Sequence, residues 1–256
     1  MRYKWFLLVY LLACLSCKAN CFLVVENQKT IIQKGNCDSR HSPCSSFKIA
    51  LALMGYDAKF LKNEDQPRIN FQEGFTDWMS IWREPHTPKL WIKNSCVWYS
   101  QQITAALGYE KFKKYLEQFH YGNQKVNLET ALKRSWISGS IQISPKEQIK
   151  FLENINNENL GLDKNAYHFT KKIIYKETTP NGWKVYGKTG TGHPQKFFGQ
   201  SKITDKQMGW FVGWIEKSNR KIYIVNFIKK NFSGSYDAGL ESYNQVRDYV
   251  RLTHRL

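Results

Sequence analysis

Three strand-like runs close the chain, and they most constrain its fold. "GWKVYGKTG", "MGWFVGWIEK" and "RKIYIVNFIKK" are rich in aromatic and β-branched residues. Ser218-Asn219 punctuates the last two as a hairpin. The stretch before them has a different period. "SSFKIALALMGY" reads as a helix from near Ser45 to Gly55, and "VWYSQQITAALGYEKFKKYLEQF" carries helical spacing interrupted at Gly108. Pro145 after Ser144 marks another helix start. Residues 56 to 95 read as irregular, with Pro67, Pro85 and Pro88. Near the N-terminus, Phe22 to Glu26 and Thr30 to Gln33 read as a hairpin around Asn27-Gln28, and Leu240 to Leu252 reads as a closing helix. Strands at both ends with helices between them predict an α+β fold. It has an antiparallel sheet flanked by helices, plus an all-helical lobe. Residues 20–256 make one large domain or two intimate subdomains, an α/β two-subdomain arrangement long enough to bury a sizeable core.

Within the first of the three runs, "GWKVYGKTGTG" satisfies two incompatible patterns. From Gly182 it is G-x-x-x-x-G-K-T, the phosphate loop of nucleotide-binding proteins. From Lys188 it is K-T-G, a signature of serine enzymes that open β-lactam rings. A phosphate loop needs a flexible turn leading into a helix, whose N-terminus cradles the phosphates. Here the intervening residues are the strand formers Trp183, Lys184, Val185 and Tyr186, and "GTGHPQK" follows, where glycines and Pro194 oppose a helix. The sequence therefore favours the second pattern.

That pattern needs a partner, S-x-x-K, which occurs twice. Ser218-x-x-Lys221 falls in a polar hairpin turn with nothing to activate a serine. Ser45-x-x-Lys48 falls at the start of an apolar helix, where the i, i+3 spacing puts both residues on one face. The helix N-terminus favours negative charge at Ser45, and burial of Lys48 would disfavour its charged form and make it a base. Ser45 alone would read as a helix cap. Two further elements change that: Ser95-Cys96-Val97 and Tyr121-Gly122-Asn123 each occur once, in the order S-x-x-K, S-x-V, Y-G-N, K-T-G.

This set resembles the class D β-lactamases, the oxacillinase family. "SPCSSFKIALALMGYD", "KNSCVWYSQQIT", "FHYGNQ" and "SWISGSIQISPKEQI" extend the resemblance over essentially the whole mature chain. It implies a serine β-lactamase or penicillin-binding-protein-like fold and hydrolysis of the β-lactam amide of penicillin-type antibiotics, hence resistance. Ser45 would be the nucleophile, and Lys48, carbamylated by carbon dioxide to N6-carboxylysine, the general base. Ser95 would relay a proton to the leaving nitrogen, with Lys188 supplying positive charge. Thr189 would contact the substrate carboxylate, and the backbone N–H groups of Ser45 and Thr191 would form the oxyanion hole. Gly190 and Gly192 would let substrate lie along the strand. Phe47, Val97, Trp136 and Ile137 would wall the pocket, with the Trp136 indole holding the carbamate. Tyr121 and Asn123 would shape the site. The resemblance implies no metal and no cofactor beyond carbon dioxide or bicarbonate. One departure stands out: "NFSGSYDAGLESYNQ" lacks the late arginine with which many members hold the carboxylate, and Arg247 comes later. Carboxylate binding then falls to Lys188 and Thr189. A penicillin-binding sensor that acylates without turnover is the alternative, although such sensors normally sit on a membrane-spanning receptor. A non-catalytic basic binding module is a third reading, opposed by the complete motif set.

The N-terminus reads as a signal peptide over residues 1–19, with Arg2 and Lys4 before the apolar run Trp5 to Leu15 and small residues Cys17 and Ala19 before the cut. A lipoprotein-type cut before Cys14 is the lesser alternative. No other stretch is long and apolar enough to span a membrane, so the mature chain is expected in the periplasm. An oxidising compartment permits disulfides among Cys21, Cys37, Cys44 and Cys96, and three full pairings are open. Cys37–Cys44, closing a short loop, is the first guess, against a reading of Cys44 and Cys96 as small packing residues. The formal charge of +17 reads as a solvated basic surface, since the lysines are scattered and no nucleic-acid motif accompanies them. The expected partners are small β-lactams.

Overall fold

The computed structural model describes residues 21–128, 131–137, 139–192, 206–231 and 237–252. The proposed signal peptide lies outside these residues. Six strands, β1 (Cys21–Glu26), β2 (Lys29–Gly35), β3 (Tyr175–Thr178), β4 (Lys184–Gly192), β5 (Lys206–Lys217) and β6 (Arg220–Asn231), form one antiparallel sheet in the order β2-β1-β6-β5-β4-β3. The first strand thus pairs with the last, Cys21 opposite Phe227, and the two ends of the chain close a single sheet.

Both sheet faces are covered, so its central strands are apolar on both sides. On one face Phe22, Val24, Phe211, Ile215, Ile222 and Ile224 pack against Val246, Tyr249 and Val250 of the closing helix α7 (Ala238–Leu252). The alternate residues, Leu23, Val25, Trp210, Val212, Trp214, Val225 and Phe227, face the helical lobe, as the period of two requires. That lobe holds α1 (Lys48–Asp57), α2 (Pro88–Asn94), α3 (Val97–Gln118), α4 (Ala131–Arg134), α5 (Pro145–Asn156) and α6 (Lys164–Ile173).

Local signals account for several boundaries. Thr87 caps α2 ahead of Pro88, and Ser144 with Glu147 forms a capping box ahead of Pro145 in α5. Gly108 breaks the periodicity of α3 with φ 71°. α1 differs from the rest: every residue from Lys48 to Tyr56 is buried. It runs through the centre of the lobe, which places a lysine in the core.

Two expectations need correction. Residues 56 to 95 are not wholly irregular, since α2 lies among them. The disulfide joins Cys21 to Cys37, not Cys37 to Cys44. The β1–β2 register sets Cys21 opposite Gly35, which brings Cys37 alongside with Cα atoms 5.1 Å apart. Cys44 and Cys96 are free and buried, as packing residues would be.

Candidate active site

A single turn of 3-10 helix, Cys44–Phe47, leads directly into α1 and carries Ser45. Cys44 holds the left-handed conformation at φ 52° and is anchored by its N–H to the Trp136 carbonyl at 2.8 Å. Ser45 does not cap α1: no side chain caps that helix, whose N-cap position is Phe47. Instead the Ser45 hydroxyl accepts a 3.1 Å hydrogen bond from Lys48 Nζ. Lys48 is fully buried, and desolvation brings its pKa from 10.5 down to about 8, against smaller opposing effects of Cys96 and Cys44. Burial pushes both thiols up to about 12, so neither is a thiolate that would hold the ammonium charged.

Ser95 ends α2 in the left-handed conformation at φ 53°, where the chain turns into α3. Its hydroxyl accepts from Lys188 Nζ at 2.5 Å, and the same ammonium donates to the Thr189 carbonyl at 3.1 Å. Lys188 is buried, and its pKa falls well below the ordinary value through desolvation, then the neighbouring charges of Lys176 and Lys48; Asp237 opposes the fall. Val97 begins α3 beside it and is buried.

Strand β4 joins these two pairs. Lys188, Gly190 and Gly192 share one face. A Cβ on Gly190 would come within 2.8 Å of the Pro43 carbonyl oxygen and 2.9 Å of the Ser46 nitrogen, and one on Gly192 within 2.4 Å of Cys44 Sγ. Only glycine admits the nucleophile's backbone this close. The opposite face carries Thr191, whose hydroxyl donates to Asp237 Oδ1 and accepts from the Gly239 N–H at 3.0 Å. β3 pairs only with Lys184–Tyr186 of β4, and the Gly187 N–H reaches the Ile174 carbonyl. From Lys188 onward β4 has a strand on one side only among the described residues. Among the described residues its other edge is free for backbone pairing with a bound molecule.

The remaining predicted residues divide clearly. Phe47 stacks on Trp136 at 5.7 Å and 22° and meets Tyr121 edge-on at 5.1 Å. Trp136 is fully buried, and its indole Nε1 has no hydrogen-bond partner among the described residues. An unmet buried donor costs about 1–3 kcal/mol, so this N–H points to an acceptor that belongs there. Tyr121 OH accepts from Gln148 Nε2 at 3.2 Å, and that amide also reaches Ser46 Oγ at 3.4 Å. Asn123 does not face the nucleophile. It bonds the Ser140 carbonyl and the Gln142 N–H, stapling a loop. Ser218 sits in the β5–β6 turn at the far end of the sheet from Thr191, which removes the second S-x-x-K pair from the site. The phosphate-loop reading also fails: Lys188 and Thr189 lie inside a continuous strand that runs on to Gly192, where a phosphate loop would open a helix. Arg247 is committed elsewhere, 2.9 Å from Glu177. Sequence reasoning missed Gln148 and Asp237, because neither belongs to a motif.

The family model for the penicillin-binding protein transpeptidase domain matches residues 22–247. The β-lactamase OXA-9 of Klebsiella pneumoniae is 37% identical over 199 residues, covering 75% of this chain and 72% of that protein. OXA-1 of Escherichia coli is 36% identical over 231 residues, 87% of this chain and 80% of that protein. The crystal structure of the class D β-lactamase OXA-427 superposes with a TM-score of 0.84 at 34% identity, covering 91% of this chain and 97% of that one. The chain belongs to the class D β-lactamases. Within that family's fold the paired contacts Lys48–Ser45 and Lys188–Ser95 lie where S-x-x-K, S-x-V and K-T-G converge. Among the described residues no helix is long and apolar enough to cross a membrane.

Proposed function

We propose that this class D β-lactamase is exported to the periplasm and hydrolyses penicillin-type β-lactams through an acyl-enzyme on Ser45. Ser45 Oγ attacks the lactam carbonyl as its proton passes to Lys48. The carbonyl oxygen, gaining negative charge, is received by the backbone N–H groups of Ser45 and Thr191. Ser95 relays that proton from Lys48 to the departing ring nitrogen, which leaves Lys48 a free base again, and Lys188 supplies positive charge to it and to the substrate carboxylate, which also meets Thr189. Water then attacks the acyl-enzyme carbonyl, activated by the base at Lys48, and Ser45 is released. Phe47, Val97 and Trp136 keep the base dry, while Tyr121 and Asn123 hold the surrounding loop and floor.

The observation that supports this most is that two lysines, both buried, each donate to a different serine hydroxyl beside one open strand edge. The site also suits carbamylation of Lys48. Only a neutral amine reacts with carbon dioxide, and burial favours that form. The unpaired Trp136 N–H is a donor for the resulting carboxylate-like group. Carbon dioxide, when bound, would turn a nitrogen base into an oxygen base. The leader pattern and the Cys21–Cys37 disulfide support export to an oxidising compartment.

The test is steady-state hydrolysis of a chromogenic cephalosporin, followed by intact-protein mass measurement. The wild-type protein should turn over continuously, and Ser45→Ala should neither turn over nor gain the acyl mass. A single stoichiometric burst by the wild type would identify a penicillin-binding sensor instead.

A further inference from the structure

The substrate end of β4 carries a negative charge that the hydrolytic mechanism does not use. Asp237 precedes α7, and its Oδ1 accepts from the N–H groups of Gly239 at 2.9 Å and Leu240 at 3.1 Å. The same oxygen accepts from the hydroxyl of Thr191, on the strand that also carries Lys188 and Thr189. Oδ2 has no hydrogen-bond partner among the described residues, and Asp237 is exposed. Its charge is felt at Lys188, where it favours the ammonium form. Gly239 holds α7 close to β4: a Cβ there would lie 2.5 Å from Thr191 Oγ1 and 2.9 Å from the Gly190 carbonyl oxygen. The carboxylate is therefore fixed to the strand by a short, rigid linkage.

A helix cap alone would explain the two backbone contacts, and Ser or Asn would serve equally well. It does not explain a charged group tied to Thr191. Such a charge repels an anion at Lys188 and Thr189 and attracts a cation beside it. In a cephalosporin, the substituent at C3 neighbours the carbon that bears the carboxylate. A cationic C3 group would enter the field of Asp237 whenever that carboxylate reaches Lys188.

We propose that Asp237 is a specificity-determining residue that favours β-lactams carrying a cationic group next to the ring carboxylate. This rests on the reading that Lys188 and Thr189 receive that carboxylate.

The test compares two cephalosporins with the same thienylacetamido side chain. One carries an acetoxymethyl group at C3 and the other a pyridiniomethyl group. kcat/KM is measured for the wild type, Asp237→Asn and Asp237→Ser, each of which keeps a capping oxygen, with thermal melts to verify folding. Intrinsic differences between the two substrates cancel when ratios are compared between proteins. Loss of the charge should lower the cationic-to-neutral ratio by about threefold to tenfold at low salt, and by less at about 0.5 M salt, where screening is strong. KM for a simple anionic penicillin should fall in both variants. Unchanged ratios, or equal changes for both cephalosporins, would leave Asp237 a helix cap only and overturn the proposal. Wild-type turnover is a separate readout: its absence on every substrate would sink the hydrolase reading itself, and this proposal with it.

Discussion

Lys48 Nζ donates a 3.1 Å hydrogen bond to Ser45 Oγ from a fully buried position. Below its pKa of about 8 the amine is charged and cannot take a proton. With carbon dioxide stripped from the buffer, kcat/KM should rise about tenfold per pH unit below pH 8 and level off above it. Bicarbonate should flatten that profile. A pH-independent rate in the stripped enzyme would exclude Lys48 as the base.

The same burial destabilises the fold. Lys48 has a lower pKa folded than unfolded, so the unfolded chain binds more protons between pH 8 and 10.5. Stability should therefore rise with pH across that window, and the full penalty, on the order of 3 kcal/mol, applies below it. In buffer stripped of carbon dioxide, Lys48→Met should raise the melting temperature at pH 7, with the gain shrinking toward pH 10.5, while abolishing turnover. A lower melting temperature at pH 7 would contradict this.

Trp136→Phe keeps an aromatic ring against Phe47 and removes the unpaired N–H together with the rest of the buried five-membered ring. The expected outcome is a folded enzyme that needs at least tenfold more bicarbonate for half-maximal rate. Carbon-13 NMR with labelled bicarbonate reads the carbamate directly.

Gly190→Ala would push a methyl group against Pro43 O and the Ser46 nitrogen. Overpacking of this kind costs about 1–3 kcal/mol. Because the displaced backbone carries Ser45, acylation should fall by about 100-fold in a protein that still melts cooperatively. Stopped-flow acylation against thermal unfolding separates the two effects.

Reduction of Cys21–Cys37, at a sequence separation of 16, should cost about 3 kcal/mol of stability. The bond pins the sheet's outer hairpin, away from Ser45, so turnover of the folded reduced enzyme at low temperature should stay within twofold. A denaturant titration with and without reductant measures the first, and initial rates the second.

Much of this architecture is legible in the sequence because local and global signals agree. The three C-terminal strands alternate between two buried faces, and Asn27, Gln28 and Ser218 supply the left-handed turn residues that hairpins need. The K-T-G end of the motif set is legible because only glycine fits at 190 and 192, against Pro43, Ser46 and Cys44. What escaped has equally physical reasons. β3 is a short strand of exposed and half-buried residues with no apolar alternation. α6 lies between loop residues and was unmarked by a motif, although Asp163 caps it. α2 could have been read from Thr87-Pro88, a capping residue before a proline at the first helical position. The disulfide follows from hairpin register: counting outward from Asn27-Gln28 brings Cys21 toward Cys37, whereas sequence proximity alone suggested Cys44. Asp237 carries no pattern, and only the tertiary contact with Thr191 brings it to notice.

The central claim is that a buried, carbamylated Lys48 drives both acylation and deacylation at Ser45. Its most direct test is steady-state hydrolysis of a chromogenic cephalosporin in buffer stripped of carbon dioxide, before and after bicarbonate is restored. Turnover should fall on stripping and recover in full on restoration, with Lys221→Ala behaving as wild type and Lys48→Ala inactive in both conditions. Turnover indifferent to bicarbonate, or retained in Lys48→Ala, would contradict it.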